Sequence, residues 1–95
     1  MAWKITYDRR VLKKDLPKIP DHEVKNILKA IQKKLTRDPE AFGKPLQGNL
    51  SQLFRLRVGS YRVIYEIQHD QVIVHVICIG ARKDLKAYIE AFKRG

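Results

Sequence analysis

Residues 53–65 read LFRLRVGSYRVIY, a sequence that predicts a β-hairpin with one apolar and one basic face. Gly59-Ser60 fits a two-residue type II′ turn, which has glycine at its first central position. Such a turn places Arg57 directly opposite Arg62, and side chains alternate between the two faces along each strand. The face that we expect to meet the core carries Phe54, Leu56, Val58, Tyr61, Val63 and Tyr65.

The other face of this hairpin carries Arg55, Arg57 and Arg62. Like charges directly opposite each other destabilise a sheet, so the cluster needs a physical explanation. Binding of an anionic ligand is one explanation, because guanidinium groups hold phosphate oxygens bidentately. A solvated basic sheet face without a ligand is the alternative, and the pattern alone does not separate the two.

Two helices are expected before the hairpin. Asp8–Leu16 predicts a short helix that Pro17 ends, because proline lacks the N–H that a helix interior requires. A longer helix begins at Pro20-Asp21 and ends at Pro39. Its apolar residues recur at i, i+3, i+4, i+7 and i+11 and form one stripe. They are Val24, Ile27, Leu28, Ile31 and Leu35.

Alternation, apolar runs and turn residues predict the remaining elements. In chain order they are strand Met1–Tyr7, loop Ala41–Ser51, strands Leu53–Val58, Tyr61–Gln68 and Val72–Ile79, and helix Asp84–Lys93. The resulting order is β-α-α-β-β-β-α. We therefore predict an α+β fold with a small antiparallel-rich sheet, an N-terminal helical hairpin on one face and a short C-terminal helix.

Charge and composition narrow the possible partners. The 95 residues include 20 Lys and Arg against 10 Asp and Glu, a net charge of +10, with 44% hydrophobic residues. That hydrophobic content is enough for a folded core, so residues 1–95 are expected to form a single domain. The charge predicts a polyanionic partner, either nucleic acid or an acidic protein. A basic composition without functional meaning is the alternative.

Several functional classes are disfavoured by the composition. Cys78 is the only cysteine, which excludes a disulfide framework, and no apolar stretch is long enough to span a bilayer. We therefore expect a cytoplasmic protein without a membrane partner. The acidic residues are scattered, and His22, His69 and His75 form no ligand set with Cys78. The sequence predicts no metal site and no cofactor, so chemistry on a phosphate ester would depend on cations, positioning and a tyrosine.

Three segments resemble the RelE/ParE toxin superfamily of bacterial and archaeal toxin–antitoxin pairs. They are Gly43-Lys-Pro-Leu-Gln-Gly48, then Phe54–Tyr65, and then Val74–Gly80 with Arg82. The second contains an Arg-x-Gly-x-Tyr-Arg-x-x-Tyr core that RelE members share with the gyrase-poisoning ParE members. In the RelE branch, two arginines and a C-terminal tyrosine do the chemistry. The matching residues here are Arg62, Arg82 and Tyr88.

The resemblance implies the toxin of a type II toxin–antitoxin system. It would be a metal-independent, ribosome-dependent endoribonuclease that cleaves mRNA in the ribosomal A site through attack of the 2′-OH. Arg62, aided by Arg55 and Arg57, would stabilise the charge of the transition state. Arg82 would lie near the leaving oxygen, and Tyr88 would orient or deprotonate the 2′-OH or stack on a base.

The resemblance also implies phosphate-binding residues and partners. Lys44 and Lys83 are further candidates for RNA contact; a lysine position of the family is occupied here by Leu53, and Lys44 is the possible substitute. The implied partners are a RelB-like antitoxin, the ribosome and mRNA, with no small-molecule cofactor. Two alternatives stay open: a ParE-like toxin that inhibits DNA gyrase without cleaving nucleic acid, and a catalytically silent nucleic-acid-binding domain.

Overall fold

A computed structural model describes residues 2–46 and 52–81 of the chain. Within these ranges, five strands form one sheet in the order β1-β5-β4-β3-β2. The strands are β1 (Lys4–Tyr7), β2 (Lys44–Pro45), β3 (Leu53–Val58), β4 (Tyr61–Gln68) and β5 (Ile73–Ala81). Strand β1 runs parallel to β5, and the other neighbouring strands are antiparallel. The predicted α+β class with an antiparallel-rich sheet is confirmed.

The hairpin has the predicted strands and register. Strands β3 and β4 begin and end at the predicted residues, and Arg57 lies directly opposite Arg62. Gly59 adopts a φ of +60°, as the first central position of a type II′ turn requires. This turn and the alternation of the strands are local properties, which is why the sequence predicts them well.

The first helical segment runs past the residue that was expected to end it. It consists of a π-helical turn, Val11–Asp15, and a 3₁₀ turn, Leu16–Lys18. Pro17 therefore lies inside a helical turn and not after one. Proline is accepted there because the first N–H groups of a helical turn have no partner within that turn.

The second helical segment comprises α1 (Asp21–Ala30) and a π-helical continuation, Ile31–Leu35. Ile27, Ile31 and Leu35 of the predicted apolar stripe are fully buried. The helix does not continue through Pro39, as predicted, and it already ends at Leu35. Pro39 also begins a short helix, α2 (Pro39–Phe42), whose first turn is capped by the Asp38 carboxylate accepting from the Ala41 N–H.

Both helical segments pack against one face of the sheet, which we call the helix-covered face. Its buried core consists of Val11, Ile19, Ile27, Ile31, Leu35, Leu56, Val63, Tyr65, Val74, Val76 and Ile79. The predicted apolar side of the hairpin lies in or against this core. Tyr65 joins it to α2, because its hydroxyl donates a 2.5 Å hydrogen bond to the Pro39 carbonyl. A Cβ atom at Gly43 would lie 1.8 Å from that hydroxyl, so this close approach requires glycine.

Two other predicted segments differ from the structure. The expected loop Ala41–Ser51 contains the end of α2 and strand β2, which pairs with β3, and residues 47–51 lie outside the described residues. The predicted strand Val72–Ile79 extends to Ala81. The predicted C-terminal helix, Asp84–Lys93, also lies outside the described residues. None of the helices in the described ranges is long and apolar enough to cross a membrane.

Candidate functional site

The basic side of the hairpin is the candidate site, and we call Arg55, Arg57 and Arg62 the arginine face. Arg57 and Arg62 are direct cross-strand partners, and Lys44 of β2 is the direct partner of Arg55. Because directly opposite residues project to the same face of a sheet, Lys44 joins the three arginines. Lys44 therefore adds its charge to this side of the sheet.

The arginine face has an apolar floor, formed by Leu53, Ile64, Ile77 and Cys78. All four are buried, and Leu46 packs against them. Apolar contacts of this kind support the aliphatic stems of arginine while the guanidinium groups stay hydrated. Sequence reasoning missed this floor, although Leu53 and Ile64 share the parity of the arginines and were the available signal.

Cys78 of the floor carries an unreactive thiol. Burial is the main cause that raises its pKa to about 12, the nearby Asp15 carboxylate raises it further, and Arg10 opposes both. Since the thiolate is the nucleophilic form, this cysteine stays protonated at neutral pH. Its role is to pack beneath the cations.

A β-bulge sets the register of β5 beside the site. Ile64 lies opposite Cys78, whereas Tyr65 lies opposite Val76, so Ile77 is the extra residue. Beyond the bulge, Gly80 is the direct partner of Arg62. The residue beside Arg62 on this face thus has no side chain, which leaves access to the guanidinium group from that strand.

The same register places His75 opposite Glu66, and its Nδ1 is 2.7 Å from the Thr6 hydroxyl. Gln68 pairs with Ile73, so residues 69–72 connect β4 to β5, and this connection sets the position of His75 before the bulge begins.

A buried carboxylate holds the end of β5 in place. Asp15 is 5% exposed, and its Oδ2 accepts a 3.0 Å hydrogen bond from the Ile79 N–H. Strand β1 pairs only with Ile73–Val76, so Asp15 serves the part of the β5 edge that β1 does not reach. Sequence reasoning did not select Asp15; its signal is an acidic residue one helical turn after the buried Val11.

A cavity of about 260 Å³ opens at the hairpin turn beside the arginine face. Arg57, Arg62, Tyr61 and the turn Gly59-Ser60 line it. Arg57 is exposed and Arg62 is half-buried, so one guanidinium group is free to follow a ligand and the other is held. A backbone phosphate could be bound here by charge-assisted hydrogen bonds from both groups.

Three predicted site residues, Arg82, Lys83 and Tyr88, lie outside the described residues, so their roles remain predictions. Within the described ranges, no group of three or more His, Cys, Asp and Glu residues is placed to hold a metal ion.

Comparison with known proteins decides the family. A family model described as the ParE toxin of type II toxin–antitoxin systems matches residues 6–89. The chain belongs to this toxin family. The predicted membership in the RelE/ParE superfamily is thereby confirmed, as is the prediction of a toxin from a type II toxin–antitoxin system.

The similar proteins carry RelE-type names. The mRNA interferase toxin RelE of Escherichia coli is 30% identical over 95 residues, which is 99% of this chain and 98% of that protein. Toxin RelG of Mycobacterium tuberculosis is 30% identical over 73 residues, 77% of this chain and 84% of that protein. The names of the E. coli and Shigella flexneri relatives support the predicted endoribonuclease activity.

Solved structures of RelE-type toxins share the fold of this toxin. The toxin–antitoxin complex RelBE2 of M. tuberculosis matches with a TM-score of 0.79 and 26% identity, covering 86% of this chain and 93% of that chain. A mutant of the E. coli toxin RelE in the free state matches with a TM-score of 0.74 and 28% identity. The match covers 99% of this chain and 98% of that chain.

Proposed function

We propose that this toxin is a ribosome-dependent endoribonuclease that cuts messenger RNA in the ribosomal A site. The observation that carries the proposal is the arginine face, where two directly opposed guanidinium groups line an open cavity. The full-length relative from E. coli is named an mRNA interferase, which supports the same chemistry. Residues 1–95 would act as a single domain.

The reaction would use the nucleophile that RNA itself supplies. The 2′-oxygen attacks the adjacent phosphorus, the bond from phosphorus to the 5′-oxygen breaks, and the products are a 2′,3′-cyclic phosphate and a 5′-OH. One proton leaves the 2′-OH and one is delivered to the 5′-oxygen. Tyr88 would orient or deprotonate the 2′-OH, and Arg82 would lie near the leaving oxygen.

The arginine face would stabilise the negative charge that grows on the phosphate oxygens. Arg62 is the central group, because it is half-buried, lies across from Arg57 and faces Gly80 on the other side. Fixed cations of this kind lower the transition-state energy without reorganising during the reaction. Arg55 and Lys44 would hold the flanking backbone, and Lys83 would add to this contact.

The toxin would act in the cytoplasm and be neutralised by a RelB-like antitoxin. Solved neighbours include the RelBE2 complex of M. tuberculosis and the intact E. coli RelBE complex. An acidic, partly disordered antitoxin suits the charge of +10. It would cover the arginine face or displace the C-terminal segment.

The decisive experiment is primer extension on a message translated in a reconstituted system. Wild type is compared with Arg62→Ala and with Arg37→Ala, a matched control at an exposed residue away from the arginine face. We expect Arg62→Ala to reduce the cleavage rate by about 10²–10³-fold and Arg37→Ala to leave it unchanged. Cleavage by Arg62→Ala at the wild-type rate would disprove the proposal.

Inhibition of DNA gyrase is the second candidate function, because the matching family model is that of ParE toxins. A supercoiling assay with purified gyrase separates the two functions. Inhibition of supercoiling without any cleavage of translated message would favour gyrase as the target. Cleavage without inhibition would favour the ribosome.

A further inference from the structure

A second cavity, of about 250 Å³, lies on the helix side of the hairpin turn. Glu23 and Asn26 of α1 form one wall, and Val58 and Tyr61 of the hairpin form the other. We call it the base cleft. It shares the turn and Tyr61 with the cavity beside Arg57 and Arg62. One face of the turn is therefore cationic, while the other offers hydrogen-bonding side chains and an aromatic ring.

Among the described residues, the turn leaves the route between the two cavities open. A Cβ atom placed on Gly59 would meet none of their atoms within 4 Å, apart from those of its own neighbours in the chain. An RNA strand can therefore cross the Gly59-Ser60 turn and contact both cavities. The base cleft is smaller than the roughly 300–1,000 Å³ typical of small-molecule sites, so it suits one part of a nucleotide and not the whole.

The side chains of the base cleft suit a nucleobase. Glu23 and Asn26 are three residues apart on a helix and thus neighbours on its surface. The Tyr61 phenol interacts with the Glu23 carboxylate, and hydrogen bonding to that carboxylate is the main cause that raises the pKa of the phenol. A carboxylate has further acceptor sites, and the Asn26 amide offers two donors and an acceptor. Bases of single-stranded RNA are bound in this way, by aromatic stacking and by contacts to their Watson–Crick edges.

We propose that the base cleft binds the base of a message nucleotide whose phosphate lies on the arginine face, and that it prefers guanine. The proposal rests on the function proposed above and adds a determinant of sequence preference. A nucleotide would straddle the Gly59-Ser60 turn, with its phosphate held by Arg57 and Arg62 and its base held against Tyr61.

The preference for guanine follows from the groups that each base presents. The Watson–Crick edge of guanine carries two adjacent N–H donors, which the Glu23 carboxylate accepts, and a carbonyl, to which the Asn26 amide donates. Uracil flanks its single N–H with two carbonyl oxygens that repel a carboxylate. Adenine and cytosine place an acceptor nitrogen beside their amino group, so neither offers two adjacent donors.

A purely structural role of Glu23 predicts different behaviour. If the interaction of Glu23 with Tyr61 served only to hold α1 against the hairpin, Glu23→Gln would change little, because an amide oxygen can also accept a hydrogen bond from the phenol. Under our proposal this variant loses guanine preference, since one of the two acceptors becomes a donor. Glu23→Gln therefore separates the two roles, because it keeps an acceptor for the Tyr61 phenol.

The test measures binding of labelled 2′-O-methyl tetranucleotides by fluorescence anisotropy. The oligonucleotides are all uridine except for G, A, C or U at each central position in turn. Their 2′-OH is blocked, so binding is read without cleavage. We expect wild type to bind a guanine-containing oligonucleotide about tenfold more tightly than the others. Glu23→Gln should lose this preference, whereas Lys25→Gln, at an exposed residue of the same helix, should keep it.

The inference would be overturned if wild type bound no oligonucleotide or bound all of them with the same affinity. It would also be overturned if the guanine preference persisted in Glu23→Gln. Tyr61→Ala should lower the affinity for all the oligonucleotides, whereas Tyr61→Phe, which keeps the ring, should retain most of it. Equal losses of affinity in these two variants would contradict stacking of the base on the ring.

Failure of this inference and failure of the proposed function give different results. If the toxin bound oligonucleotides base-selectively but did not cleave translated message, the proposed nuclease function would be wrong and the role of the base cleft would stand. If the toxin cleaved message but its oligonucleotide binding showed no base selectivity, the proposed role of the base cleft would be wrong and the nuclease function would stand.

Discussion

The two faces of the sheet are built from the same strands yet perform opposite tasks. The helix-covered face buries a large apolar core beneath both helical segments, whereas the arginine face gathers cations over the small apolar floor. Strand alternation delivers every second residue to each side. One side therefore supplies the folding free energy, and the other tolerates the repulsion between Arg57 and Arg62. The lesson is that a small domain can hold a destabilising site if a single face stabilises the whole sheet.

The largest effect is expected at Gly43, where α2 meets the helix-covered face. Gly43→Ala would place a Cβ 1.8 Å from the Tyr65 hydroxyl and break its bond to the Pro39 carbonyl. We expect the free energy of unfolding to fall by about 3 kcal/mol, measured by urea denaturation.

The matched variant for this prediction is the double substitution Gly43→Ala with Tyr65→Phe. Phenylalanine removes the oxygen that clashes, so the double variant should be more stable than Gly43→Ala alone. A single variant within 0.5 kcal/mol of wild type would show that α2 moves freely relative to the sheet.

The next largest effect is expected at Asp15, the carboxylate that supports the end of β5. Asp15→Ala leaves the buried Ile79 N–H without its acceptor, so we expect a loss of about 2 kcal/mol in the free energy of unfolding. Asp15→Asn retains an acceptor oxygen and should lose less. Leu12→Ala, a control on the same helical turn with a 54% exposed side chain, should change stability only slightly. Equal losses for Ala and Asn would assign the effect to charge instead of the hydrogen bond.

The apolar floor should make stability depend on alkaline pH. The thiol of Cys78 has a pKa of about 12 in the folded toxin and about 8.5 when unfolded. Above pH 8.5 only the unfolded state loses the proton, so stability falls as pH rises toward 12. The slope is at most about 1.4 kcal/mol per pH unit for this group.

Denaturation of wild type and Cys78→Ala between pH 8 and pH 10.5 checks this prediction. The difference in unfolding free energy between the two proteins isolates the thiol, because Tyr65, whose pKa is also raised by burial, is common to both. A difference that stays constant with pH would show that the thiol is accessible to water.

The smallest effect has the opposite sign and lies on the arginine face. Arg57→Gln removes one of two like charges that face each other across the hairpin, so the toxin should become more stable by about 0.2–1 kcal/mol. The gain should shrink at high salt, where the repulsion is screened. RNA affinity should fall in the same variant. A destabilised variant would mean that the arginine stem contributes more through packing than its charge costs.

Local patterns were predicted correctly, and non-local ones were not. The hairpin Leu53–Gln68 depends on a short turn and on alternation, both of which are visible in consecutive residues. The register of β5 depends on a longer connection and on a bulge at Ile77, and neither leaves a signal in the sequence. Strand β2 was missed for a similar reason, because so short a segment is a strand only through pairing with β3.

The candidate site shows the same division. Arg55, Arg57 and Arg62 were assigned to one face from alternation alone, and the structure places them there. Lys44 joined them only through the β2–β3 pairing. The buried Asp15 was overlooked because an acidic side chain is normally placed in solvent. Asp15 can be buried because its carboxylate accepts a hydrogen bond from the N–H of Ile79, a residue far away in the sequence.

The sequence by itself determined the hairpin, its turn and the separation of arginines from apolar residues, because these follow from the steric preferences of glycine and the two-residue period of a strand. Only the tertiary structure decided which cations share the arginine face, where the bulge places Gly80 beside Arg62, and how α1 closes the base cleft over Tyr61. Those relations join residues distant in the chain. They arise when the burial of one apolar face brings separate segments together.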